Sequence, residues 1–269
     1  MLAARKILTV SVLALLASAT AQAQQAPASP PAIDPAAIAA LSRMGEFLRK
    51  HNSMEVKAET RTDEVLESGQ KVQITAQMDL KVRKPDRLRL SKASDRKTRE
   101  FFYDGKTFTI YGARSGYYAQ VPAPPTVQQL VEVIGRRYGI EMPLADLFYW
   151  GTEKSGVEDI REATNVGPST VGGALCDHYA FRQRDVDWQI WIQQGAEPLP
   201  RKLLVTTVDD PAKPQHEVDM TWTLNPKFDD KLFVFVPPKN ALPIAIDDAE
   251  AMARKARQGR TARPAGGAR

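Results

Sequence analysis

The chain has 269 residues, 43% of them apolar and 26% charged, with 37 basic residues against 32 acidic ones and a single cysteine, Cys176. That content can bury a core and excludes an internal disulfide framework, so packing has to supply the stability. The basic excess belongs to the end: the last 21 residues, AEAMARKARQGRTARPAGGAR, hold six basic residues and one acid, which leaves the body slightly acidic and argues against nucleic acid as a partner.

Arg5 and Lys6, an apolar run from Ile7 to Ala17, and Ala21-Gln22-Ala23 have the order of a secretory signal peptide, with cleavage expected after Ala23. The run is too short to span a bilayer, and no later stretch approaches the roughly 20 apolar residues a membrane helix needs. No cysteine closes the run, so lipoprotein acylation has no acceptor there. The expectation is a protein exported to the periplasm of a Gram-negative cell. Residues 24–33, rich in Pro and Ala, read as a linker, and 34–248 as the folded domain. Residues 249–269 read as a disordered basic tail. Arg254, Lys255, Arg257, Arg260 and Arg263 of that tail are candidates for a weak, salt-sensitive contact with anionic membrane.

In the domain, Asp34 before Pro35 marks a helix start, and Ile38, Leu41, Met44, Phe47 and Leu48 recur at helical spacing. A strand over Met54–Leu66 turns at ESGQ into VQITAQMDLKV, where Val72, Ile74, Ala76, Met78, Leu80 and Val82 alternate with polar residues. Such alternation is a strand with one dry and one wet face. Lys84-Pro85-Asp86 breaks the chain before a strand at Arg87–Leu90. Asp104-Gly105 then joins Arg99–Tyr103 to Lys106–Tyr111 as a hairpin, with a third strand to Pro122. Thr126 caps a helix carrying Val127, Leu130, Val131 and Ile134, which Gly139 ends, and a short second helix is expected over Leu144–Trp150. Strands resume at Ile160–Val166, Ala174–Gln183, Trp188–Gln193, Arg201–Thr207, His216–Leu224 and Lys231–Val236. About eleven antiparallel strands in one sheet should curl. The fold class expected is mainly β (α+β), an incomplete barrel closed by a helical lid.

FYDGKTFTIY, CDHYAFRQRDVDWQIWIQQGAEPLPRKLLVTT and FVFVPPKNA resemble the predicted periplasmic family called domain of unknown function 2092. That family is similar in fold to the bacterial lipoprotein-localisation carriers. The resemblance spans Asp34 to Ile246, and its most specific part is DWQIWI with PLPRKL. It implies an eleven-stranded half-barrel, a helical lid and a lipophilic cavity between them. It also implies non-covalent handling of acyl chains or of lipidated or apolar polypeptides, and it brings no catalytic residues.

The residues expected to line that cavity are Ile74, Met78 and Leu80 on the dry face, Leu130, Ile134, Phe148 and Trp150 on the lid, and Trp188 and Ile190, which share one face with Ile192. Plain core packing explains the same positions equally well. His51, His178 and His216 are scattered. GARSG and GPSTVG lack the spacing of a nucleophile elbow. Cys176 and His178 stand two apart on one strand face, with His216 a conceivable third ligand, and a structural role is the expectation. Asp185 and Asp187 read as solvated turn residues. No catalytic group, metal or cofactor is expected, and the chain reads as a monomer. The reading is a non-enzymatic carrier or chaperone for a lipid, lipoprotein or other lipophilic ligand. The alternative is an envelope sensor or protein-interaction module on the same fold.

Overall fold

The computed structural model describes residues 32–246 apart from 141, 151, 153 and 154. The expected signal peptide, residues 24–31 of the expected linker and the basic tail lie outside the described residues. Among the described residues two α-helices, α1 (Pro35–Lys50) and α2 (Val127–Tyr138), accompany twelve strands. The first six are β1 (Ser53–Val65), β2 (Lys71–Arg83), β3 (Arg87–Ser94), β4 (Thr98–Tyr103), β5 (Thr107–Gly112) and β6 (Tyr117–Pro122). After α2 come β7 (Glu162–Val171), β8 (Ala174–Arg182), β9 (Val186–Gln193), β10 (Pro200–Thr207), β11 (Gln215–Leu224) and β12 (Leu242–Pro243).

All of these strands share one sheet, in the order β12-β6-β5-β4-β3-β2-β1-β11-β10-β9-β8-β7. Only β12 and β6 pair in parallel. The end strands β7 and β12 do not pair with each other, so the sheet is an incomplete barrel and the helices serve as its lid. Two meanders, β1 to β6 and β7 to β11, meet where β1 pairs with β11. β7 tolerates Pro168 because it is an edge strand, where a missing N–H breaks no second ladder.

Alternation along the strands sends one set of side chains to an inner face, and the register lines them into rows. One row runs Trp222, Val56, Leu80, Leu90, Phe101, Ile110 and Ala119 across seven strands. A parallel row holds Met54, Val82, Leu88, Tyr103, Phe108 and Val121. Both rows belong to the core, together with Ala37, Ala40, Leu41, Met44 and Leu48 of α1 and Val127, Leu130, Val131 and Ile134 of α2. Asp34 caps α1 by accepting from the Ala36 N–H at 2.8 Å, with Pro35 at the first helical position. The outer face around β1 and β11 is charged. There Arg61 donates to Glu217 at 2.6 Å and Asp219 at 2.8 Å, and pairs with Glu59, while Lys202 meets Glu217 at 2.9 Å. Among the described residues no helix is long and apolar enough to cross a membrane.

The Asp104-Gly105 hairpin forms as expected. Asp104 accepts from the N–H groups of Lys106 and Thr107, and Gly105 takes φ +90°, which its missing side chain permits. Two expected elements are corrected. Lys231–Val236 is no strand: Asp229 caps a single 3-10 turn at Asp230–Phe233. The apolar positions there are plugs. Phe233 is buried edge-on against Phe228, and Phe235 packs among Phe102, Tyr111 and Tyr118 with ring centroids 5.1 to 5.3 Å apart. The chain then rounds the sheet edge, and Leu242–Pro243 adds the parallel strand beside β6. The expected helix at Leu144–Trp150 shrinks to a 3-10 turn at Ala145–Phe148, preceded by Leu144 at φ +60°.

Candidate ligand cavity

The lid is held at both ends by polar contacts. Thr126 caps α2 by accepting from the Gln129 N–H at 3.2 Å, and the Val127 N–H donates to the Pro85 carbonyl at 2.8 Å, tying α2 to the β2–β3 turn. Gly139, left-handed at φ +63°, ends α2 with its N–H on the Gly135 carbonyl. On the other side Lys84 donates to the Leu48 and Arg49 carbonyls at 3.1 and 3.3 Å, satisfying the last turn of α1. Burial first, and then Arg49, hold this ammonium below the ordinary lysine value. Arg49 in turn donates to the Trp150 carbonyl at 3.2 Å and so fixes the segment after the 3-10 turn.

Between these anchors lies a cavity of about 360 Å³. Leu48, Met54, Pro85, Val127, Leu147, Phe148 and Trp150 give it apolar walls, and Arg49, Lys84, Thr126, Gln128 and Thr152 its polar rim. The volume falls at the small end of ligand pockets. Its described lining contains no carboxylate, imidazole or thiol. The arrangement can exclude water from an apolar guest and orient a polar end at the rim.

Of the nine residues expected to line a cavity, Phe148 and Trp150 stand on this one. Met78, Leu80, Leu130, Ile134 and Ile190 are buried in the common core. Trp188 is half-buried, packs against that core and stacks on Phe181 with centroids 4.2 Å apart. Ile74 lies apart from the others, in a smaller groove with Thr60, Thr62, Lys92 and Arg99. Leu48, Met54, Pro85 and Val127 also form walls, although nothing in the sequence singled them out for this role. Leu48 and Val127 were visible only as core positions of their helices, and Pro85 only as a chain break.

The family model for predicted periplasmic proteins of domain of unknown function 2092 (DUF2092) matches residues 37–247. The chain belongs to this family. Comparison of the DUF2092 chain with curated protein sequences finds no match. Among solved structures it is similar to the lipoprotein LppX of Mycobacterium tuberculosis, with 10% identity over 73% of this chain and 98% of that one, at a TM-score of 0.45. LprF from Mycobacterium bovis shows 11% identity over 78% and 100% of the two chains, at 0.43. A LolA superfamily protein from Nitrosomonas europaea shows 10% identity over 74% and 97%, at 0.30.

The residues of this DUF2092 protein that could suggest chemistry are spread apart. His178 stacks flat on Trp191 at 4.0 Å and shares a hydrogen bond with Gln189 at 2.9 Å. His51 lies at the end of α1, against Phe47 and Asn225. Cys176 is buried, and burial pushes its thiol above the ordinary value. Among the described residues no three His, Cys, Asp or Glu side chains gather as metal ligands would. Asp187 is taken up by Arg182, which donates to it at 2.9 Å.

His216 is a pH-sensitive group of a structural kind. It shares a 2.8 Å hydrogen bond with Thr62, and burial, then Lys92, push its imidazole below the ordinary 6.5. The unfolded chain therefore takes up the proton first as pH falls through 6.5, and the folded state loses stability from there downward. We expect His216→Gln to flatten the melting temperature between about pH 6.5 and 5. Parallel profiles for the variant and the parent would contradict this.

Proposed function

We propose that the protein is a non-enzymatic periplasmic carrier or chaperone for a lipid, a lipidated protein or another lipophilic ligand, whose apolar end enters the cavity beneath Phe148 and Trp150. The observation that carries the reading is a preformed apolar cavity beside the lid whose described lining includes no carboxylate, imidazole or thiol. Burying acyl chain is worth about 0.8 kcal/mol per methylene, so apolar walls alone can supply affinity. At about 360 Å³ the cavity accepts a short length of chain. In this reading a longer ligand displaces the segment that Arg49 holds and reaches the inner face, where Met78, Leu80, Leu130, Ile134, Trp188 and Ile190 would meet it. Membership in a family of predicted periplasmic proteins supports the compartment.

One experiment tests location and ligand together. Native mass spectrometry of protein purified gently from the periplasmic fraction should give a mass beginning at Gln24, together with a bound lipophile released by solvent extraction. Protein of that mass that carries no lipophile and takes up none from a lipid extract would overturn the carrier reading. It would leave the interaction module, for which the exposed Val234, Val236, Leu242 and Ile244 along the chain's final turn around the sheet offer a surface.

A further inference from the structure

A third row of the inner face departs from the two apolar ones. It begins with Met220, Ala58 and Met78 and turns basic at Lys92 of β3 and Arg99 of β4, which are register partners. Lys92 follows Leu88 and Leu90 on the same strand face, where alternation would place another apolar residue. Neither the Lys92 nor the Arg99 side chain has a hydrogen bond or ion pair with a described residue. Lys92 is half-buried, and burial, followed by Arg99, depresses its ammonium. Glu64, the acid on the nearby rim, is held by Arg96 at 3.1 Å.

These two cations sit where two grooves join. One, of about 570 Å³, runs from them over Phe101, Ile110, Ala119, Ile140, Ile244 and Ile246. The other, of about 220 Å³, continues past Thr60, Thr62 and Ile74. Lys92 is half-buried and Arg99 exposed beside it; adjacent like charges oppose each other, and an anion between them removes that repulsion while accepting charge-assisted hydrogen bonds. An apolar floor running away from an unpaired cation pair matches one chemistry, a charged head joined to a hydrocarbon chain.

We propose that Lys92 and Arg99 bind the anionic head group of an acyl lipid whose chain lies along Phe101, Ile110, Ile140 and Ile244. The proposal rests on the lipophile-binding reading of this fold, but its residues are separate from the cavity beneath Trp150.

The test uses the full-length exported protein and the fluorescent fatty acid cis-parinaric acid, with oleate, oleyl alcohol and inorganic phosphate as competitors. Oleate should displace the probe at about one-tenth the concentration of oleyl alcohol or less, and inorganic phosphate should not displace it in the same range. In Lys92→Met/Arg99→Gln the preference for oleate should vanish and cis-parinaric acid itself should bind more weakly, while the dissociation constant of the alcohol, corrected for the probe's affinity, stays as in the parent. Circular dichroism and melting confirm the fold, which the loss of two mutually repelling charges should not weaken. Equal displacement by oleate and the alcohol in the parent, or a preference that survives in the folded double variant, overturns the proposal and leaves the carrier reading standing. Displacement by inorganic phosphate alone shows an anion site without a lipid chain and overturns it as well. Failure to bind either cis-parinaric acid or the neutral probe N-phenyl-1-naphthylamine overturns both readings together.

Discussion

Leu80→Ala is expected to lower the unfolding free energy by about 3 kcal/mol, within the range measured for buried leucines cut back to alanine. Leu80 is 1% exposed and lies in the middle of its row, between Val56 of β1 and Leu90 of β3. The neighbouring backbones are fixed by ladders on both sides, so they can collapse only partly into the space left, and the residual void adds to the lost transfer energy. For a domain of this size the melting temperature should fall by roughly 6 to 12 °C. Leu66→Ala is the matched control. Leu66 is 44% exposed in the β1–β2 turn and should change stability by no more than about 0.5 kcal/mol. Thermal and urea melts of both variants read the difference, and a Leu80→Ala melt within about 2 °C of the parent would show that the inner face is not a packed core at this row.

Trp150→Ala should act on binding more than on folding. Trp150 is half-buried and forms a wall of the cavity, and Arg49 grips its backbone carbonyl, a contact the substitution leaves in place. Removing the indole takes away roughly 1.5 to 3 kcal/mol of apolar contact with a guest, a loss of about ten- to a hundredfold in affinity. The neutral probe N-phenyl-1-naphthylamine suits this measurement because it has no charge for Lys92 and Arg99 to hold. A folded Trp150→Ala protein that binds the probe as tightly as the parent would move the lipophile site away from the lid.

Much of this architecture was legible because it rests on local rules. The alternation from Val72 to Val82 could only be a half-buried strand. Asp34-Pro35 and Thr126 with Gly139 bracketed the helices, since caps satisfy backbone groups close in sequence. What stayed hidden depends on contacts between distant segments. Lys231–Val236 is a short β-compatible apolar run, yet Phe235 packs on Phe102, Tyr111 and Tyr118 of the outer face and Phe233 on Phe228, and the segment folds as a 3-10 turn instead of a strand. Leu144–Trp150 carries helix-compatible apolar residues, but a left-handed Leu144 and the anchoring of Trp150 by Arg49 leave room for only one turn.

The candidate site follows the same division. Phe148 and Trp150 were visible as aromatics at the end of the lid. The cavity they face exists because Lys84-Pro85, Met54 and the ends of both helices converge, and no period in the sequence encodes that meeting. Reading β3 as ending at Leu90 concealed Lys92 altogether. The strand runs on to Ser94, and in that extension its inner face changes from apolar to basic.

The seam between β1 and β11 sets the order in which this molecule can be made. Met54 pairs with Leu224 and Thr62 with His216, so the strand at the centre of the sheet has no partner along that edge until nearly the whole domain has been synthesised. Contacts of such sequence separation carry a large loop-closure cost and slow folding. Until they form, the first meander presents an open strand edge of the kind that invites pairing with another chain. The alternating charges of Lys57, Glu59 and Arg61 lie along that edge, where they keep the incomplete sheet hydrated while it waits for its second half.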